Sequence, residues 1–102
     1  MTDTLLIEGI SFKTATLPTA HSVILLIQGK SANLGCGYFS MAAAEKMQDR
    51  FAIVRGVSSI EEVLNAPVAD MSPEAAKCGV TPGMKGSEAL LLMEKKRPLT
   101  LE

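Results

Sequence analysis

Aromatic side chains are scarce in this sequence, with three Phe, one Tyr and no Trp among 102 residues. A core must therefore be built from Leu, Ile, Val, Ala and Met. An excess of charge of one sign is missing too. Ten Lys and Arg against eleven Asp and Glu leave a formal charge of −1 and a pI near 5.8. That offers no basic face of the kind that nucleic acid demands. The single histidine, His21, and the two cysteines, Cys36 and Cys78, form no recognised metal-ligand spacing. No metal and no cofactor is expected. The apolar run 23–27 falls far short of the ~20 residues a membrane helix needs. The first residues carry no basic segment, so a cytoplasmic protein with reduced thiols and no membrane partner is expected.

What is present suits a globular fold. Hydrophobic residues make up 47% and charged residues 21%, which argues against disorder. The length suggests a single domain over 1–100, and Leu101-Glu102 reads as a cloning scar. Residues 4–8 and 10–17 read as a hairpin closed near Gly9 and stopped by Pro18. The stretch 21–28 is the strongest strand signal, and Gly29-Lys30-Ser31-Ala32 is turn chemistry leading into a strand over 33–39. Pairing Gln28 with Asn33 sets Ile27 against Leu34, Leu25 against Cys36 and Val23 against Tyr38 on one face. Leu26 then meets Gly35, and Ile24 meets Gly37, on the other. Both faces are apolar, and a chain this short lacks the material to cover the second. Another copy of the protein would cover it.

Ser40 is a credible N-cap for a helix from Met41, and the strand after it, 51–54, completes a βαβ unit. Ser58 or Ser59, each three residues ahead of a glutamate, opens a brief helix. Residues 68–71 read as a weak edge strand. Ser72-Pro73-Glu74 starts another helix that Gly79 closes, and the last begins near Gly86. The expected fold is α/β (α+β), a mixed sheet with an N-terminal antiparallel hairpin, a central βαβ unit and about four short helices packed on one face.

The order Leu34-Gly35-Cys36-Gly37-Tyr38, Ala44-Glu45-Lys46, Ala52-Ile53-Val54-Arg55-Gly56-Val57 and Gly83-Met84-Lys85-Gly86-Ser87-Glu88-Ala89-Leu90 resembles the YunC-like family of small bacterial and archaeal α/β domains of unknown function. The resemblance covers about 29–93. It departs at Met47-Gln48, where the family usually has Leu/Met-Gly before Asp49, and at Phe51, which is bulkier than usual. In that family the N-terminal β region is regarded as a tetramerisation element. The resemblance therefore implies a homo-oligomer, a tetramer or dimer, with 1–28 as the oligomerisation region and 29–97 as the α/β core. It implies no activity.

Candidate chemistry falls on two places. Cys36 would need access and a thiolate-favouring neighbour to act as a nucleophile; otherwise it is a small buried hydrophobe. His21 does not complete a pair, because the register puts it four positions away, about 14 Å at ~3.4 Å per residue. The second place is the carboxyl end of the parallel strands, where open α/β sheets collect ligands. There Tyr38 and Arg55, with the bare backbone of Gly37 and Gly56, would suit a small anionic ligand beside the helix starts at Ser40 and Ser58. Arg55 could instead pair with Glu61, Glu62 or Asp70. Gly83-Met84-Lys85-Gly86-Ser87 is no phosphate loop, since the lysine precedes the last glycine. Lys95-Lys96-Arg97 reads as a solvated basic helix end. Two functions are open: an anionic-metabolite-binding domain, or a thiol enzyme using Cys36 near a subunit interface.

Overall fold

The computed structural model describes residues 2–39 and 41–95. Its elements run β1 (Thr2–Ile7), β2 (Ile10–Pro18), β3 (Val23–Gln28), β4 (Ala32–Gly35), α1 (Met41–Met47), β5 (Arg50–Ile53), α2 (Ile60–Asn65), β6 (Asp70–Met71), α3 (Pro73–Lys77) and α4 (Gly86–Lys95). The strands form a sheet in sequence order, antiparallel at every junction except the parallel pair β4–β5. The fold is thus mixed α+β, with β4–α1–β5 as its βαβ unit. No helix among the described residues is long and apolar enough to cross a membrane.

Local chemistry explains most boundaries. Glu8 and Gly9 both have positive φ, 51° and 81°, the signature of a type I′ two-residue turn, whose twist suits a hairpin. Thr19 closes the next turn: its N–H donates to the Ser22 carbonyl and its hydroxyl accepts from the Ser22 N–H, both at 2.9 Å. His21 therefore lies in a turn, and the strand expected from residue 21 starts at Val23.

The β3–β4 register is the one taken from the sequence by pairing Gln28 with Asn33: Ile27 meets Leu34 and Leu26 meets Gly35. It then stops sooner than expected. Cys36 still donates its N–H to the Leu25 carbonyl at 3.1 Å, but its own carbonyl accepts from Phe39 N–H at 3.3 Å across the Gly37-Tyr38 turn. The Leu25 N–H donates instead to Cys36 Sγ at 3.3 Å. The thiol stands in for the missing ladder carbonyl, and Val23 does not pair with Tyr38.

Alternation gives the sheet two unlike faces. Phe12, Leu25, Ile27, Leu34, Ala52 and Val54 lie in one buried cluster with Val63 of α2 and Ala89, Leu90 and Met93 of α4. Full burial of each large aliphatic contributes about 1.5–3 kcal/mol. Gly86 sets the closeness of α2 and α4, since a Cβ there would overlap the Val63 carbonyl oxygen and meet Leu34 Cδ2 at 3.2 Å. The other face is not bare over the βαβ unit. Phe39 lies over Gly35, where a Cβ would stand 2.6 Å from the Phe39 ring and 3.2 Å from that of Phe51. The two rings are tilted by 49° with centroids 5.4 Å apart. Over the βαβ unit the chain thus supplies its own cover for the second face, where the sequence was expected to lack the material: Gly35 is bare so that Phe39 can cover it.

Three polar devices tie the elements together. Ser72 caps α3, accepting from Ala75 N–H at 3.2 Å, and its hydroxyl also serves β5, accepting from Phe51 N–H at 3.0 Å and donating to the Asp49 carbonyl at 2.7 Å. Glu94 of α4 receives the N–H groups of Lys30, Ser31 and Ala32 at 2.9, 2.8 and 3.1 Å, which locks the β3–β4 turn. Finally, α1 ends in a Schellman motif: Asp49 N–H donates to the Ala44 carbonyl at 3.0 Å, and Gln48 takes the left-handed φ of 60°. Gln48 occupies the position where the family resemblance expects glycine.

Candidate functional site

The carboxyl ends of β4 and β5 open onto a shallow depression of about 320 Å³, lined by Ser22, Val23, Cys36, Gly37, Tyr38, Gly56 and Val57. It forms there for a topological reason. β4 and β5 run parallel, so both release their chains at the same end, and antiparallel β3 begins at that end with Val23. Four of the five residues singled out from the sequence, Cys36, Gly37, Tyr38 and Gly56, line the depression. The fifth, Arg55, is at its rim: a Cβ on Gly37 would lie 3.4 Å from Arg55 Nη1 and 3.9 Å from its Cγ. The Arg55 side chain thus crosses the bare surface of Gly37.

Arg55 is exposed and makes no ion pair among the described residues. Of the expected alternatives, Glu62 and Asp70 are engaged elsewhere, and no ion pair joins Arg55 to Glu61 among the described residues. Glu62 is folded back onto Ser58, accepting from its N–H at 2.7 Å and its hydroxyl at 3.0 Å. Asp70 accepts from Met71 N–H at 2.9 Å. The two loops also leave backbone donors over. Among the described residues the N–H groups of Gly37, Tyr38, Gly56 and Val57 engage no protein acceptor. Gly56 takes a φ of 72° with open space around its Cβ position, so glycine is needed there for backbone conformation.

One expected contributor drops out. The N-cap of α2 is Ser59, whose hydroxyl accepts from Glu62 N–H at 3.2 Å, and the first turn carries Glu61 and Glu62. That helix end is satisfied by its own side chains and is acidic, so it does not attract an anion. Ser40 lies outside the described residues, as do Lys96, Arg97 and the pair Leu101-Glu102. Lys95 is paired with Glu8 at 3.1 Å.

Tyr38 is 55% exposed, and its hydroxyl lies 3.4 Å from Thr19 Oγ1. Cys36 is buried, 4% exposed, with Sγ held by the Leu25 N–H. His21 is exposed in the turn beside Ser22, and no hydrogen bond joins it to Cys36. No group of three or more His, Cys, Asp and Glu among the described residues could hold a metal ion. Sequence reasoning missed Ser22, Val23 and Val57 as lining residues. Pro18-Thr19-Ala20-His21-Ser22 is turn chemistry, and reading it so would have placed Ser22 at the sheet end facing Gly37.

Comparison with known proteins places this geometry in context. Residues 35–93 match a family described as a domain of unknown function, DUF1805. The chain is 30% identical over 95 residues to the uncharacterised protein YunC of Bacillus subtilis (strain 168), covering 89% of this chain and 94% of that protein. A crystal structure of a protein of unknown function from Thermoplasma acidophilum superimposes with a TM-score of 0.87 at 27% identity, over 91% of each chain. The family match includes the ends of β4 and β5 that open onto the depression.

Proposed function

The chain belongs to the DUF1805, YunC-like family, and we propose that it is a homo-oligomeric domain that binds a small anionic metabolite at the ends of β4 and β5. The observation that carries this reading is the unpaired Arg55 guanidinium laid across Gly37 at the rim of the depression. An exposed arginine commonly finds a carboxylate on its own surface. This one has none among the described residues, and it stands beside four loop amides with no protein acceptor. A planar guanidinium and bare backbone N–H groups are the donors that carboxylates and phosphates use.

Self-association is the second half of the proposal. On the face opposite the main core, Leu6 is 70% and Leu17 56% exposed, and Leu17 pairs with half-buried Ile24 beside the pair Ala15–Leu26. Leu6 lies opposite Ser11 and is set off from Leu17 by exposed Lys13, so the apolar stretch is the end of β2–β3 around Ala15, Leu17, Ile24 and Leu26; it lies within 1–28, the region the family resemblance assigns to assembly. A second copy would cover it.

The test is thermal-shift screening of wild type and Arg55→Ala against small carboxylates and phosphates. At least one anion should raise the melting temperature of wild type and not of the variant. Equal shifts in the two proteins would remove the site. A thiol enzyme using Cys36 is the alternative reading, favoured by the placement of Cys36 in the wall of the same depression. Turnover abolished by Cys36→Ser at unchanged ligand affinity would establish it.

A further inference from the structure

We infer that α4 is a surface on which two copies of this chain pair, antiparallel across a two-fold axis, with Glu88 of each copy meeting Lys95 of the other. This surface is separate from the apolar end of β2–β3 around Leu17 and Ile24. It lies on the other side of the sheet, where α4 packs on the main core.

Two stripes divide α4. Gly86, Ala89, Leu90 and Met93 are buried, and their spacing of three, four and seven residues makes them the stripe that packs inward. Glu88, Leu91, Leu92 and Lys95 repeat that spacing on a second stripe. Together with Met84 they line a shallow trough of about 360 Å³ whose exposed surface is mostly apolar. Leu91 and Leu92 are only half-buried, so the folded chain leaves part of each in water.

Charge selects the occupant. Glu88 makes no ion pair among the described residues. Lys95 meets Glu8 at 3.1 Å, but the two side chains are 53% and 63% exposed, so that pair is weak. An ammonium also has three donors to share. Glu88 and Lys95 stand at equal distances on either side of the Leu91–Leu92 pair, two turns apart, about 10.5 Å at ~1.5 Å per residue. An antiparallel copy of the same stripe, centred between the leucines, sets each glutamate opposite a lysine and leucine against leucine. A parallel copy would oppose like charges, which disfavours it. The stripe is its own complement under a two-fold axis, as an isologous interface requires.

Light scattering of the full chain, of Glu88→Lys and of the double variant Glu88→Lys/Lys95→Glu tests the pairing. Glu88→Lys sets lysine against lysine and should halve the mass of the wild-type assembly at micromolar concentration. The double variant reverses both charges and should restore that mass. Both residues are exposed, so neither change threatens the fold. Carbodiimide coupling of mixed unlabelled and 15N-labelled wild type should also yield Glu88–Lys95 linked peptides with one label of each kind. A tetramer that falls to a dimer supports the pairing and leaves the sheet-face interface standing; a dimer that falls to a monomer supports the pairing and retires that interface. A wild-type monomer, or the absence of mixed-label peptides, would overturn the pairing. A mass unchanged by Glu88→Lys would overturn it too and leave the trough to a partner of another sequence. A mass that the double variant does not restore would overturn the antiparallel register.

Discussion

Replacing Ser72 with alanine tests how the α3 side of the fold is held. The Ser72 hydroxyl has one proton and two lone pairs, and all three are used: it donates to the Asp49 carbonyl and accepts from Phe51 and Ala75 N–H. The residue is 0% exposed, so water cannot take over. Ser72→Ala removes an N-cap, typically worth about 1 kcal/mol. It also takes the partner from the part-buried Asp49 carbonyl bond and from the Phe51 N–H, at up to roughly 1–3 kcal/mol each where water does not replace it. Partial relaxation of the short β5–β6 edge offsets some of this. We expect a loss of about 3 kcal/mol, which lowers Tm by roughly 12–24 °C for a chain of this size. The control is Ser59→Ala, which removes the half-buried cap of α2 and should cost only about 1 kcal/mol. Chemical denaturation of both variants supplies the comparison. Equal losses would refute the argument, because burial of three converging groups would then count for nothing.

Three further outcomes follow from local geometry. Gln48→Gly should stabilise the protein by about 0.5–1 kcal/mol, because it relieves a side chain held at a φ of 60°; a lower urea midpoint would contradict this. Gly86→Ala should destabilise by about 2–4 kcal/mol, since the new Cβ overlaps the Val63 carbonyl and the backbones of α2 and α4 must part; unchanged thermal unfolding would show that the helices do not pack this closely. Cys36 should be alkylated by iodoacetamide at least tenfold more slowly in the folded protein than in urea, given its 4% exposure and its bond from Leu25. Peptide mapping distinguishes it from Cys78, and rapid labelling of Cys36 would favour the thiol-enzyme reading.

Much of the sheet was legible because strand alternation admits few registers. With Ile27, Leu25 and Leu34 all needing burial, a one-residue slip of 23–28 against 32–36 is excluded, and the tight turn after Gln28 selects the pair Gln28–Asn33. Ser72-Pro73 and Gly79 likewise mark α3 by conformational chemistry that acts within a few residues. The end of β4 was not legible. Tyr38 and Phe39 are good strand formers, and the break arises because the Cys36 carbonyl turns to Phe39 while Phe39 swings over Gly35. That choice depends on Phe51, which arrives twelve residues later. The clasp of Glu94 on the Gly29–Ala32 turn was equally hidden, since it joins residues more than sixty apart. At the candidate site, the strand ends singled out from the sequence do open onto the depression, while the start of α2 is capped by its own side chains. The glutamates three residues after Ser58 and Ser59 already signalled that this helix end caps itself. That Arg55 has no carboxylate partner among the described residues emerged only from the folded arrangement.

The central claim is that this chain assembles with copies of itself and holds a small anion at Arg55. Native mass spectrometry of the intact protein, as purified and after addition of whichever carboxylate or phosphate raises its melting temperature, reads both at once. The account predicts a dimer or tetramer carrying one small anion per chain in wild type, and the same assembly without it in Arg55→Ala. A bare monomer at micromolar concentration, or identical ligand occupancy in the two proteins, would contradict it.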